Sequence, residues 1–254
     1  MRSRFAIVLL LLLAGLVPLG HADGLEGCEE HVRFGAPSYD PVLLCRVGYA
    51  LSYNAQRKVP DWVAYHLTPE KVSAQLNRTD DFRADSDLPE GERAELTDYR
   101  GSDYDMGHMA PAAAMRWSRM AMSESFLLSN MASQVGAGFN RGIWRALEAR
   151  VRKWVLKRGD LYVVTGPIYG SKFLKYIGSN KVAVPTAFYK VVFDPARNEA
   201  IALILPNESR PTKELASFIF SVDEVETQTG LDFLPDLDDA VEDGIESVRQ
   251  EHSW

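Results

Sequence analysis

The chain has 254 residues, 46% of them hydrophobic, with 28 basic and 35 acidic side chains for a net charge of −7. That length suits one sizeable core better than two independent domains. An average charge of this sign repels a polyanion, so a polyanionic partner would need a local reversal of sign.

Arg2 and Arg4 precede an apolar run from Phe5 to Val17, then Pro18 and the small-residue ending Gly20-His21-Ala22. This pattern predicts a secretory signal peptide over residues 1–22 and a mature protein, one domain, over 23–254. The run is shorter than the roughly 18 to 20 residues that cross a bilayer as a helix, and no later segment is longer, so no stable membrane anchor is expected after cleavage. Cys28 lies beyond the run, behind Glu26 and Gly27, which argues against a lipid-modified cysteine. Cys28 and Cys45 are the only cysteines. An oxidising compartment would let them pair, closing a short loop for on the order of 3 kcal/mol.

Val47 to Tyr53 and Trp62 to Thr68, rich in β-branched and aromatic residues, read as two strands joined across Asn54 and Pro60. Asp80 to Thr97, with Pro89 and Gly91, reads as a long surface loop of the kind that lines active sites. Ser123 to Met131 is a short helix candidate. Asn140 to Lys157 sets Ile143, Trp144, Leu147, Val151, Trp154 and Val155 at spacings of three and four, one helical face stopped by Gly159. Leu161 to Thr165, Ala187 to Phe193 and Ala200 to Leu205 read as strands, with Gly166-Pro167 and Asp194-Pro195 as breakers. Gly166 to Pro185 reads as a second loop, whose Lys172, Lys175 and Lys181 could meet phosphates. Val222 to Gln228 is a helix capped by Ser221, with Glu224 at the capping-box position. The fold class is therefore α+β, a mostly antiparallel sheet with flanking helices.

Loss of the signal peptide leaves 26 basic and 35 acidic residues, net −9. The distribution is uneven: Arg141, Arg145, Arg150, Arg152, Lys153, Lys157 and Arg158 crowd one segment, and Asp232 to Glu251 is strongly acidic. Screening confines exposed charges to about 8 to 10 Å, so the local sign can prevail.

The most informative stretch is Tyr104-Asp105-Met106-Gly107-His108-Met109-Ala110-Pro111-Ala112, followed by Asn130 and by Phe139-Asn140-Arg141-Gly142 through Glu148. A neutral histidine can take a proton from water, and an Asn amide oxygen is a hard ligand suited to magnesium. Together they point to metal-assisted phosphodiester hydrolysis. The order resembles the non-specific DNA/RNA endonuclease family, ββα-metal nucleases whose signature is Asp-Arg-Gly-His followed by Met- or Gln-Ala-Pro. The resemblance runs from about Tyr49 to Leu234, with Met106 where the family has arginine.

The resemblance implies a ββα-metal catalytic element, with His108 as general base, Arg78 against the scissile phosphate, and Asn140 on the metal. Glu148, Asn130 and Gln134 would give outer-sphere support. The cofactor implied is Mg2+, with Mn2+ as a substitute, and the substrates are DNA and RNA. Each residue also has a plainer reading: Asn140 as a helix N-cap, Glu148 as a surface partner of Arg145 or Arg152, Asn130 and Gln134 as helix-end hydrogen bonders. His66 reads as structural. At Met106 a thioether cannot donate a hydrogen bond, and Arg116, Arg119 or Lys181 are candidate replacements for the arginine. The reading is an exported endonuclease, periplasmic or secreted, with a homodimer left open. A non-catalytic binding module of the same fold and a hydrolase of another phosphodiester are the alternatives.

Overall fold

Alternation of side chains along the strands divides the interior in two. The computed structural model describes residues 24–40, 42–170, 174–252 and 254; the expected signal peptide and Lys172 lie outside them. Strands β1 (Leu43–Arg46), β2 (Tyr49–Asn54) and β3 (Val59–Leu67) open the sheet. Helix α1 (Pro69–Ser73) follows, its first turn closed by Thr68 Oγ1 accepting from Lys71 N at 3.2 Å. After α2 (Leu96–Tyr99) come β4 (Tyr104–His108), α3 (Arg119–Glu124) and β5 (Met131–Val135). Helix α4 (Arg145–Arg158), β6 (Leu161–Ile168), β7 (Lys175–Ile177), β8 (Val182–Val184), β9 (Ala187–Asp194) and β10 (Glu199–Pro206) continue the chain. Strand β11 (Ile219–Phe220), α5 (Val222–Thr229) and α6 (Asp239–Glu246) complete it.

The main sheet has seven strands in the order β1-β2-β3-β6-β9-β10-β11, with every neighbouring pair antiparallel. Along it, Val63, Tyr65, Val163, Phe188, Val192, Ile201 and Leu203 face one apolar cluster, which also takes Leu147, Val151, Trp154 and Val155 of α4. The intervening Trp62, Ala64, Tyr162, Tyr189, Val191, Ala202 and Ile204 face a second, filled by Val222, Val225, Phe233 and Ile245. The α+β class is thus realised as a sheet covered on both faces. Strands β4 and β5 form a separate antiparallel pair, register His108↔Met131, on the α4 side. With the helical segment that follows, they make the expected ββα element. The Cys28–Cys45 disulfide ties the N-terminal segment to β1, Cα to Cα 5.6 Å. No helix among the described residues is long and apolar enough to cross a membrane.

Several boundaries differ from the sequence reading for identifiable reasons. Gly166-Pro167 does not break β6: pairing with β3 stops at Val63↔Thr165 while β9 pairs on to Ile168, so Pro167 sits where β6 has a partner on one side alone. The loop expected from Gly166 to Pro185 holds the β7–β8 hairpin. The helix expected over Ser123 to Met131 lies earlier, because the Ser118 hydroxyl caps Ala121 N; the chain has already left it when Leu128 N reaches Arg83 O at 2.9 Å. The predicted helix over Asn140 to Lys157 is two pieces. Residues Gly136–Trp144 are wound wider than an α-helix and broken at Gly138 (φ 80°) and Gly142 (φ −114°, ψ −110°). Ser221 and Glu224 do form a reciprocal capping box.

Candidate active site

His108 ends β4, and the backbone just beyond it is fixed from the side. Asn130 Oδ1 accepts from Ala110 N at 2.9 Å, while its Nδ2 donates to Ala110 O at 2.9 Å and Ser125 O at 2.8 Å. The imidazole packs edge-on against Phe82 and Phe126, with centroids 5.5 and 5.0 Å away, and its buried Nε2 has no hydrogen-bond partner. Burial, reinforced by the positive charge of Arg78, lowers its pKa to about 3. A ring in this setting stays neutral and keeps a lone pair for a proton.

Asn140 does not cap a helix. It lies inside the widened segment ahead of the Gly142 break, and its Nδ2 donates to Asp105 Oδ2 at 2.8 Å. Arg141 Nη1 takes the other Asp105 oxygen, also at 2.8 Å. Asp105 therefore anchors the amide by its nitrogen and leaves Oδ1 without a protein partner among the described residues. An oxygen so presented matches what a hard divalent cation requires. The break also removes the regular-helix spacing assumed between Asn140 and Glu148.

Glu148 is not a surface partner of Arg145. Burial pushes its carboxyl up to about 7, against the opposing pull of Lys190 and then Arg152. Lys190 is fully buried on β9, between Phe188 and Val192 on the α4 face of the sheet. Its Nζ donates to Tyr65 Oη at 3.3 Å and lies 4.7 Å from the Trp144 ring centroid. Glu148 is the one carboxylate that draws the Lys190 pKa upward, against its burial. Sequence reading missed Asp105 and Lys190. The lysine had a visible signal, a charged residue at an inward position of an otherwise apolar strand, whereas Asp105 looked like part of the motif with no separate task.

Arg78, His108, Asn140 and Glu148 come together in one cleft of about 760 Å³, whose walls also carry Arg100, Arg141, Arg145 and Arg152. Five guanidinium groups thus face two carboxylates, Asp105 and Glu148, and the local sign opposes the chain average. Arg78 stacks on Phe126 at 4.7 Å, with Nε held by Asp80 at 2.5 Å. Met106 lines this cleft, but the expected replacements for its missing charge do not. Arg116 is spent on the carbonyls of Leu76 and Gln75, Arg119 lines a different pocket, and Lys181 sits exposed on the turn before β8. Arg100 and Arg145, neither of them among those expected replacements, stand there instead. Lys175 approaches the rim through Tyr104, donating to its hydroxyl at 3.0 Å.

Two of the expected supporting residues are not in the cleft. All polar atoms of Asn130 are committed to the Ala110 and Ser125 backbone, so it positions His108 and offers nothing to an ion's waters. Gln134 is buried opposite Asp105 on β5, with its amide over Gly107 and both polar atoms without a protein partner. A Cβ on Gly107 would meet Gln134 Cδ at 2.2 Å, which explains the glycine before the histidine. His66 is structural as expected, stacked on Tyr162 with Nε2 3.2 Å from Asp160.

The family described as DNA/RNA non-specific endonuclease matches residues 29–240. Nuclease C1 of Cunninghamella echinulata var. echinulata is 39% identical over 225 residues, 83% of this chain and 89% of that protein. The mitochondrial endonuclease G of Homo sapiens is 36% identical over 224 residues, 82% of this chain and 74% of that protein. Among solved structures, a complex of EndoG with EndoGI, described as showing the mechanism of EndoG inhibition, aligns with a TM-score of 0.79 at 35% identity. That alignment covers 84% of this chain and 93% of the other.

Proposed function

Because this chain belongs to the DNA/RNA non-specific endonuclease family, we propose that it is an exported, magnesium-dependent endonuclease that cuts DNA and RNA with little sequence preference. The single observation that carries this reading is the cleft in which a neutral His108 and the uncommitted Oδ1 of Asn140 share walls with five arginines. Catalysis belongs to one domain spanning 23–254, an extent supported by the family match over most of it.

In this reading His108 accepts the proton of the attacking water, a service generally worth about 10²- to 10⁴-fold in rate. Arg78 donates to the phosphate and favours the extra negative charge of the pentacoordinate state. Asn140 would hold the metal through Oδ1, with Glu148 hydrogen-bonding to its waters. Bound there, magnesium, or manganese in its place, supplies Lewis-acid stabilisation of the phosphate and the leaving oxygen. Lys190 and Arg152 keep a counter-charge beside the half-buried Glu148, favouring the carboxylate form that such support needs. Arginines that meet the phosphate backbone read no base, which accounts for broad specificity.

Export is supported by the basic and apolar leader and by the Cys28–Cys45 bridge, since disulfides persist in oxidising compartments. Several relatives carry mitochondrial names, and the proposal of export rests instead on this chain's own leader and bridge. Digestion of supercoiled plasmid and of RNA, with magnesium and with chelator, tests the activity. Cleavage of both with metal and of neither with chelator is expected; chelator-resistant cleavage, or turnover confined to small diesters, would overturn the reading.

A further inference from the structure

The acidic C-terminal segment takes no part in the cleft, and it folds onto the opposite face of the sheet. There Asp223 and Glu226 on α5 meet Glu246 on α6, and oxygens of the three lie within 4.8 Å of one another. Asp232 and Glu242 add their negative charge at close range. None of these five carboxylates has an ion-pair partner among the described residues; the adjacent Arg249 instead reaches Glu224 at 3.6 Å and covers the Phe220 ring. Glu246 is only 5% exposed, and its Oε1 is buried without a hydrogen bond. The same is true of Glu242 Oε1. One Glu226 oxygen accepts from Phe233 N at 2.8 Å, which fixes the carboxylate on the cluster and leaves its second oxygen free to bind.

A carboxylate buried among like charges is relieved in one of two ways, by a proton or by a cation. An all-carboxylate donor set selects hard ions over zinc or copper. Ligand number then discriminates between the common ones. Calcium takes about six to eight oxygen ligands, several of them protein carboxylates, whereas magnesium is usually held by about one or two carboxylates and keeps its waters. Three protein carboxylates gathered within 4.8 Å of one another are more than magnesium usually takes and suit calcium. We propose that Asp223, Glu226 and Glu246 form a calcium site, separate from the nuclease cleft, that fastens α6 onto α5. Calcium there would replace repulsion between the two helices with a shared ligand, and Glu242 is placed to contribute directly or through water.

Calorimetric titration of calcium chloride into the full mature chain carrying Asn140→Ala, which disables the cleft's metal ligand, tests the site on its own. One binding event is expected, with Kd on the order of 10⁻⁴ to 10⁻³ M, the range of extracellular modules. Calcium at about 100 times Kd should raise the folded-to-unfolded ratio about 100-fold and the melting temperature by about 5 to 10 °C. Glu246→Gln and Asp223→Asn should each weaken binding at least tenfold and abolish the thermal shift. In the chain with Asn140 intact, both should leave magnesium-dependent nuclease turnover unchanged. Glu246→Gln matches the protonated side chain in shape, so it should fold without calcium. Absence of calcium binding at millimolar concentration, unchanged affinity in Glu246→Gln, or an equal thermal shift from magnesium would overturn the proposal, the first two leaving a cluster that holds protons.

Discussion

Replacing His108 by alanine should separate catalysis from folding, and the structure allows both sides to be estimated. The imidazole makes edge-on contacts with Phe82 and Phe126. At about 0.5 to 1.5 kcal/mol for each aromatic pair, their loss costs about 1 to 3 kcal/mol. Removing a buried nitrogen that has no partner returns a similar amount, about 1 to 3 kcal/mol. The net change should therefore be no more than about 2 kcal/mol against a total of about 5 to 15 kcal/mol, lowering the melting temperature by less than about 8 °C. Turnover should fall about 10²- to 10⁴-fold, or about 3 to 5.5 kcal/mol of barrier, with the magnesium dependence unchanged because the base is not a ligand. The assay is cleavage of a labelled duplex at saturating magnesium, run beside a thermal melt. A Phe126→Leu control disturbs the same packing while keeping the imidazole and should lose far less activity. A folded His108→Ala protein that keeps turnover within tenfold of wild type would refute the assignment of the base.

Asn140→Ala should raise the magnesium needed for half-maximal cleavage more than Glu148→Gln does, since the first removes an amide oxygen and the second perturbs a partner of bound water; equal metal curves would contradict that ordering. Burial raises the Glu148 carboxyl from 4.5 to about 7, so kcat/KM should decline as pH falls through that region at limiting magnesium. Metal and proton compete for the carboxylate form, so the decline should move to lower pH as magnesium rises and disappear in Glu148→Gln; its persistence in that variant would exclude Glu148 as its source. Stability follows the opposite sign for the two groups. The raised Glu148 contributes most below pH 4.5 and loses that contribution as pH rises through 7, whereas the depressed His108 contributes above 6.5 and loses it as pH falls toward 3. Gly107→Ala should cost about 1 to 3 kcal/mol and much of the activity, because the new Cβ collides with Gln134 beside the base. Gln134→Ala in the same chain should recover most of the melting temperature, and failure to do so would place the strain elsewhere.

The sequence alone determined the elements whose signals are local. Runs of β-branched and aromatic residues marked β3, β6, β9 and β10, the three-and-four spacing from Leu147 to Val155 marked the inward face of α4, and the Ser221 and Glu224 pair marked the start of α5. Each follows from residues within a few positions of one another. The order of His108, Asn140 and Glu148 was likewise enough to indicate the chemistry, because the donor types fit a metal and a base wherever the fold puts them. Tertiary structure decided what depends on distant partners. Asn130 became a backbone clamp because Ala110 and Ser125 close on it, and Asn140 presents its oxygen because Asp105, 35 positions away, takes its nitrogen. Lys190 could be placed behind Glu148 only once β9 and α4 were packed face to face. Charge shows the difference most plainly: a chain with seven excess negative charges gathers five arginines around one cleft and five carboxylates on the opposite face of the sheet. Composition averages over the whole molecule, but the field that a ligand meets is set by charges within about a Debye length, and only the fold decides which those are.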